Sequence, residues 1–91
     1  MQKITADIEM MDGTEHKDVR IILADMIRYE EVAKRHKWGG LQDNPITAQS
    51  FMAYAAMTRT GVYDPNKGFD EFVTECAGVM ADFGDELPPT M

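Results

Sequence analysis

The chain is expected to fold as an α+β domain: an N-terminal β-hairpin followed by a compact three-helix arrangement. Three observations predict this. Ile4, Ala6, Ile8 and Met10 alternate with Thr5, Asp7 and Glu9, the two-residue period of a half-buried strand. Asp12-Gly13 then interrupts the alternation with the residues that a tight hairpin turn requires. Beyond residue 25 the apolar residues recur at three- and four-residue steps instead. With 91 residues the chain makes one domain, over 1–83, followed by a flexible C-terminal tail over 84–91.

The hairpin register can be worked out. A two-residue type I′ turn at Asp12-Gly13 sets Met11 opposite Thr14, Ile8 opposite Lys17, Ala6 opposite Val19 and Ile4 opposite Ile21. The apolar residues near the open end then share one face, which should be buried. Asp7 would fall opposite Asp18, and facing like charges destabilise, so fraying or a bulge is expected there. A two-stranded hairpin is marginal alone in water. It must pack on the helices or gain further strands from a partner.

The first helix is expected from about Asp25, a good N-cap, to Lys37. Met26, Tyr29 and Ala33 form its apolar side. Glu30 and Glu31 stand four residues before Lys34 and Arg35, the favourable order for surface pairs. Lys34, Arg35 and Lys37 suit the negative end of the helix dipole, and Gly39-Gly40 ends the helix. The second helix opens at Asn44-Pro45, where proline fits the first turn. It buries Ala48, Phe51, Met52, Ala55 and Ala56, and it exits at Gly61. The third is expected from Phe69 to Phe83, with Phe72, Val73, Cys76, Val79, Met80 and Phe83 at helical spacing.

Composition narrows the function. The net charge is −7 and the isoelectric point lies near 4.6, whereas nucleic-acid binding needs a basic stripe. From Ile46 onward there are seven acids and two bases, Arg59 and Lys67. This reads as a solvated surface, with a docking face for a basic partner as the alternative. No apolar run approaches the ~18 residues needed to span a bilayer, and no signal-peptide core follows Met1. A single cysteine, Cys76, excludes an internal disulfide.

The sequence holds no constellation for catalysis, cofactor or metal. His16, opposite Glu9 in the hairpin, and His36, at a basic helix end, lack partners at ligand spacing. Cys76 on an apolar stripe reads as an inert thiol. Asp64, Asn66 and Asp70 do not meet the spacing of a calcium loop and read as a capped turn. The unusual feature is eight methionines. Met26, Met52 and Met80 are expected in the core, while Met10, Met11 and Met57 have no obvious place. Flexible thioethers suit recognition of irregular apolar partners. Trp38 beside Gly39-Gly40 reads as a core or lid residue, or as an exposed anchor. Phe51, Met52, Tyr54 and Met57 on the second helix are the candidate partner-binding residues with it, forming an adaptable groove for an amphipathic helix.

Six short stretches succeed one another in a suggestive order. They are Asp12-Gly13-Thr14, then Asp25-Met26-Ile27-Arg28-Tyr29-Glu30 leading to Lys37-Trp38. Phe51-Met52-Ala53-Tyr54-Ala55-Ala56 follows, leading to Arg59-Thr60-Gly61, and then Phe69-Asp70-Glu71-Phe72-Val73. Over roughly Asp12 to Phe83 this succession resembles the small tail assembly chaperones of long-tailed, siphovirus-type bacteriophages. The resemblance implies a non-enzymatic protein made just before the tape measure protein, which binds and solubilises that long coiled partner and helps recruit tail-tube subunits. It also implies a longer frameshifted product, a place in the host cytoplasm during assembly, and absence from the mature virion. Two other classes fit the residues. One is a small structural phage component, a connector or tube-associated protein. The other is an acidic protein-binding inhibitor. Homo-oligomerisation is left open by the sequence.

Overall fold

A computed structural model of the chain describes residues 4–39 and 43–82. Its elements run in the order β1 (Ile4–Met10), β2 (Glu15–Ile21), α1 (Leu23–His36), α2 (Pro45–Arg59), α3 (Phe69–Glu75) and β3 (Cys76–Asp82). The strands form one antiparallel sheet in the order β2-β1-β3. The α+β class is therefore as expected, but the architecture ends on a strand.

The expected helix from Phe69 to Phe83 is corrected by this strand. α3 stops at Glu75, and the chain straightens at Cys76 with φ −102° and ψ 131°. Val79 and Ala81 are half-buried, and Met80 and Asp82 exposed, so a period of two lay within a stretch that also satisfies three- and four-residue steps. Gly78 weakens a helix there, and pairing with β1 supplies the backbone bonds that a lone hairpin lacks. Ala6 pairs with Ala81, Ile8 with Val79 and Glu9 with Gly78. The third strand thus comes from the chain's own C-terminal half. Phe83, Gly40 and the tail over 84–91 lie outside the described residues.

The hairpin keeps its expected register at the open end, with Ile4 opposite Ile21 and Ala6 opposite Val19. The register then shifts by one at the anticipated place. Asp18 takes the left-handed conformation, φ 57°, and its N–H donates to Asp7 Oδ1 at 2.9 Å. The two carboxylates no longer face each other; one caps the other's backbone. As a result Ile8 lies opposite His16, not Lys17, and Glu9 opposite Glu15, not His16. The turn also differs from the two-residue form. Met10 N–H donates to Thr14 O at 2.8 Å, leaving a three-residue loop of Met11, Asp12 and Gly13. Only Gly13 has positive φ, +93°, the arrangement of a type I turn closed by a glycine bulge. Asp12 accepts the Thr14 N–H at 2.9 Å, which holds its carboxyl below the usual carboxylate range.

α1 begins two residues before the expected cap, at Leu23. Ile22 occupies the N-cap position, and Asp25, in the first turn, accepts the Ile22 N–H at 3.0 Å. Lys37, at φ 58°, closes the helix with its N–H on Ala33 O. α2 starts at Pro45, as expected. It is buried on every side from Phe51 to Met57, because the sheet covers one face and α1 and α3 cover the others. Its alanines at 48, 53, 55 and 56 let those neighbours approach closely. Ala6, Ile8 and Ile21 from the sheet, Tyr29 and Ala33 from α1, and Phe72 from α3 complete the core. Two methionines exchange roles relative to the sequence reading. Met57 is fully buried, and Met80 is 75% exposed on the outer face of β3.

Candidate functional site

Four of the five residues proposed for partner binding are interior. Phe51, Met52, Tyr54 and Met57 are all buried, so they cannot form an exposed groove on α2. The reason is that every face of α2 meets another element: Phe51 packs against Tyr29, Trp38 and Phe69, and Tyr54 against Tyr63, Phe69 and Phe72. Trp38 is half-buried. It stacks on His36 at 4.9 Å between ring centroids and 16° between planes, and it meets Tyr29, Phe51 and Phe69 at 5.9–6.3 Å. It therefore closes one end of an aromatic cluster and does not stand free.

A concave surface does exist, on α1. A cleft of about 680 Å³ lies between α1 and α2, within the range of ligand-binding clefts. Met26, Tyr29, Ala33 and Met52 form its floor, and Glu30, Lys34 and Lys37 stand at its mouth. Met52 is the member of the sequence-derived set that reaches it besides its core contacts. Leu23 and Ile27, one turn apart on the adjoining row of α1, are exposed, so the apolar strip continues past the cleft. Tyr29 donates its hydroxyl to Gly39 O at 3.2 Å, and burial raises the Tyr29 pKa, with the charge of Asp43 adding to the effect.

Behind this cleft, a buried ion pair locks α1 to α2. Arg59 Nε and one terminal nitrogen donate to the two carboxylate oxygens of Asp25 at 3.1 and 3.0 Å. The same terminal nitrogen also donates to Arg20 O on β2 at 3.0 Å. Bonding to Asp25 pushes the guanidinium pKa further up. Sequence reading missed this pair by taking Asp25 as a cap. The available signal was spacing: Asp25, Tyr29 and Ala33 lie four residues apart on one buried stripe. A charge on such a stripe needs a buried partner.

A second polar cluster secures α3. Tyr63 donates its hydroxyl to Glu75 Oε1 at 2.6 Å, and Lys67 Nζ reaches both Glu75 oxygens at 3.1 and 3.3 Å. Tyr54 donates to Lys67 O at 2.7 Å. The two donors lower the Glu75 pKa, and burial with the Glu75 bond raises that of Tyr63 well above the usual phenol value. Every member has a structural partner. The Asp64 loop is a capped turn, with Asn66 N–H on Asp64 Oδ1 at 2.9 Å.

His16 and His36 lie on separate elements, the hairpin and the end of α1. The Cys76 thiol lies 3.4 Å from the carbonyls of Glu9 and Gly78, and burial raises its pKa. Among the described residues, no group of three or more His, Cys, Asp or Glu side chains could hold a metal ion. No helix among them is long and apolar enough to cross a membrane. In comparisons with known proteins, no family model, no curated protein and no solved structure matches this chain.

Proposed function

We propose that this protein is a non-enzymatic tail assembly chaperone of siphovirus-type phages. On this reading it binds amphipathic helices of the tape measure protein, holds that partner in solution, and helps bring tail-tube subunits to it. The observation that supports the reading is the cleft on α1. Its floor is two methionines, an alanine and a tyrosine, its mouth carries charges of both signs, and Leu23 and Ile27 prolong the apolar strip along the helix. An unbranched thioether adapts to side chains of varied shape, which suits a client with many non-identical helical segments. The charges at the mouth fix orientation more than they add affinity. The net charge of −7 helps keep a chaperone–client complex dispersed and disfavours DNA as the partner.

Co-expression with the long coiled protein encoded beside it tests the reading. The coiled protein should be soluble and co-purify when this chain is present, and should aggregate without it. Ile27→Lys and Met26→Lys, both on the strip, should reduce recovery while the fold persists. If the coiled protein is equally soluble alone and never co-purifies, the reading fails. A stoichiometric band of this chain in purified particles would point instead to a structural component.

A further inference from the structure

The two edges of the sheet are built differently. β2 carries Glu15, Lys17, Asp18 and Arg20, and its ladder is broken where Asp18 turns left-handed. Charges and a bulge are what keep an edge strand from pairing. β3 carries a single charge, Asp82, and its one bulge, at Ala77, lies near its start, which leaves Gly78–Asp82 in unbroken register. Its edge is flanked by apolar groups on both faces. On the helix side, a groove of about 340 Å³ runs past Ile46, Phe72, Val73 and Val79, with Ile46 80% and Val73 53% exposed. On the outer side, Met80 stands exposed two residues from Gly78, where an added Cβ would meet nothing within 4 Å.

We propose that β3 pairs with β3 of a second copy, antiparallel about a two-fold axis at Val79, to make one continuous six-stranded sheet. The register carries the choice of a second copy over a foreign strand. With Val79 opposite its counterpart, Met80 lies opposite Gly78 of the other copy, and each thioether covers the space over a glycine. The regular pairing runs over Gly78–Met80 of each strand and ends at the bulge at Ala77, and Asp82 lies beyond it, away from its counterpart, so no carboxylate faces a carboxylate. The axis is perpendicular to the sheet, which puts both helix layers on one side and brings Ile46 and Val73 of each copy toward the seam. Such an interface is self-complementary, as a two-fold dimer requires. The surface carries negative charge on both copies, so screening strengthens the pairing. The inference does not depend on what the client is.

Sedimentation equilibrium of the full chain tests it. The wild type should be a dimer that tightens with added salt. Met80→Lys and Val73→Lys, both at exposed positions, should each weaken it by about tenfold or more with unchanged circular dichroism. Register is read by oxidising a mixture of two variants in a Cys76→Ser background, one with Gly78→Cys and one with Met80→Cys. The mixed disulfide dimer should dominate over either homodimer. A wild type that stays monomeric across the concentration series overturns the proposal. So does a dimer unmoved by both lysine variants, or one that oxidises only to homodimers.

Discussion

Asp25 and Arg59 meet across the seam between α1 and α2 in a two-point ion pair, and they are not equivalent partners. Asp25 is 2% exposed, and its oxygens also accept the backbone N–H of Ile22. Arg59 keeps a third of its side chain in water. The pair ties three elements together, since Arg59 also reaches the β2 carbonyl of Arg20. Removing one partner of a buried pair is costly because it strands the other charge.

This asymmetry sets the first prediction. Arg59→Ala leaves a buried carboxylate without its cation and should cost about 3–5 kcal/mol. Asp25→Ala leaves a guanidinium that can turn to water and should cost less, about 2–3 kcal/mol including the lost first-turn bond. Urea unfolding measures both. The double variant should lose less than the sum of the two, and strict additivity would show that the pair is not coupled.

Asp18 supplies the second. It holds a left-handed backbone that glycine adopts freely, and the bond to Asp7 comes from its main-chain N–H. Asp18→Gly should therefore keep the bond and stabilise the protein by up to about 1 kcal/mol. Asp18→Val should destabilise, because a β-branched residue resists that conformation. Equal stability of the two variants would contradict the strain assigned to the bulge.

The Tyr63–Glu75–Lys67 cluster predicts opposite behaviour at the two ends of the pH scale. The Glu75 pKa is lowered by folding, so its contribution is present above the unfolded carboxyl value and lost as pH falls through the folded one. The Tyr63 pKa is raised, so its contribution is intact below the unfolded phenol value and lost as pH rises toward the folded one. Glu75→Gln should flatten the acid limb of a stability–pH curve, and Tyr63→Phe the alkaline limb. Ultraviolet titration of the folded protein should show Tyr29 and Tyr63 ionising above the usual phenol range, Tyr63 the later of the two, and Tyr63→Phe should remove that later step.

Hydrogen exchange should distinguish the three strands. β1 lies in the middle of the sheet, with Ala6 and Ile8 fully buried, so its amides should be the best protected of the three strands. Ending the chain at Glu75 removes β3 and should strip protection from β1 as well. A truncated protein with β1 still protected would mean that the hairpin does not rely on its third strand.

Trp38 gives the last. Its ring bridges His36 and the Tyr29–Phe51–Phe69 group, half-buried over the end of α1. Trp38→Ala should cost about 2–3 kcal/mol, below the loss for a fully enclosed ring. It should also erase much of the near-ultraviolet circular dichroism. A variant of unchanged stability would assign the ring to a partner surface instead.

Much of this architecture could be read from local pattern. Alternation over Ile4–Met10 set β1, Asn44-Pro45 set the start of α2, and the facing of Asp7 and Asp18 located the bulge, because each depends on neighbours in sequence or on one hairpin register. Three features could not be read this way. Residues 76–82 satisfy helical and strand spacing alike, and only pairing with β1, some seventy residues away, made them a strand. Phe51 and Tyr54, which form an apolar side of α2 when that helix is considered alone, are covered by rings distant in sequence, Tyr29, Trp38, Tyr63, Phe69 and Phe72. Asp25 looks like a cap when α1 is considered alone, and becomes half of a buried ion pair only when α2 places Arg59 against it. Local sequence determines which conformations a segment can hold. Which one it keeps, and which side chains then remain at the surface, is decided by the long-range contacts that satisfy its backbone and bury its apolar face.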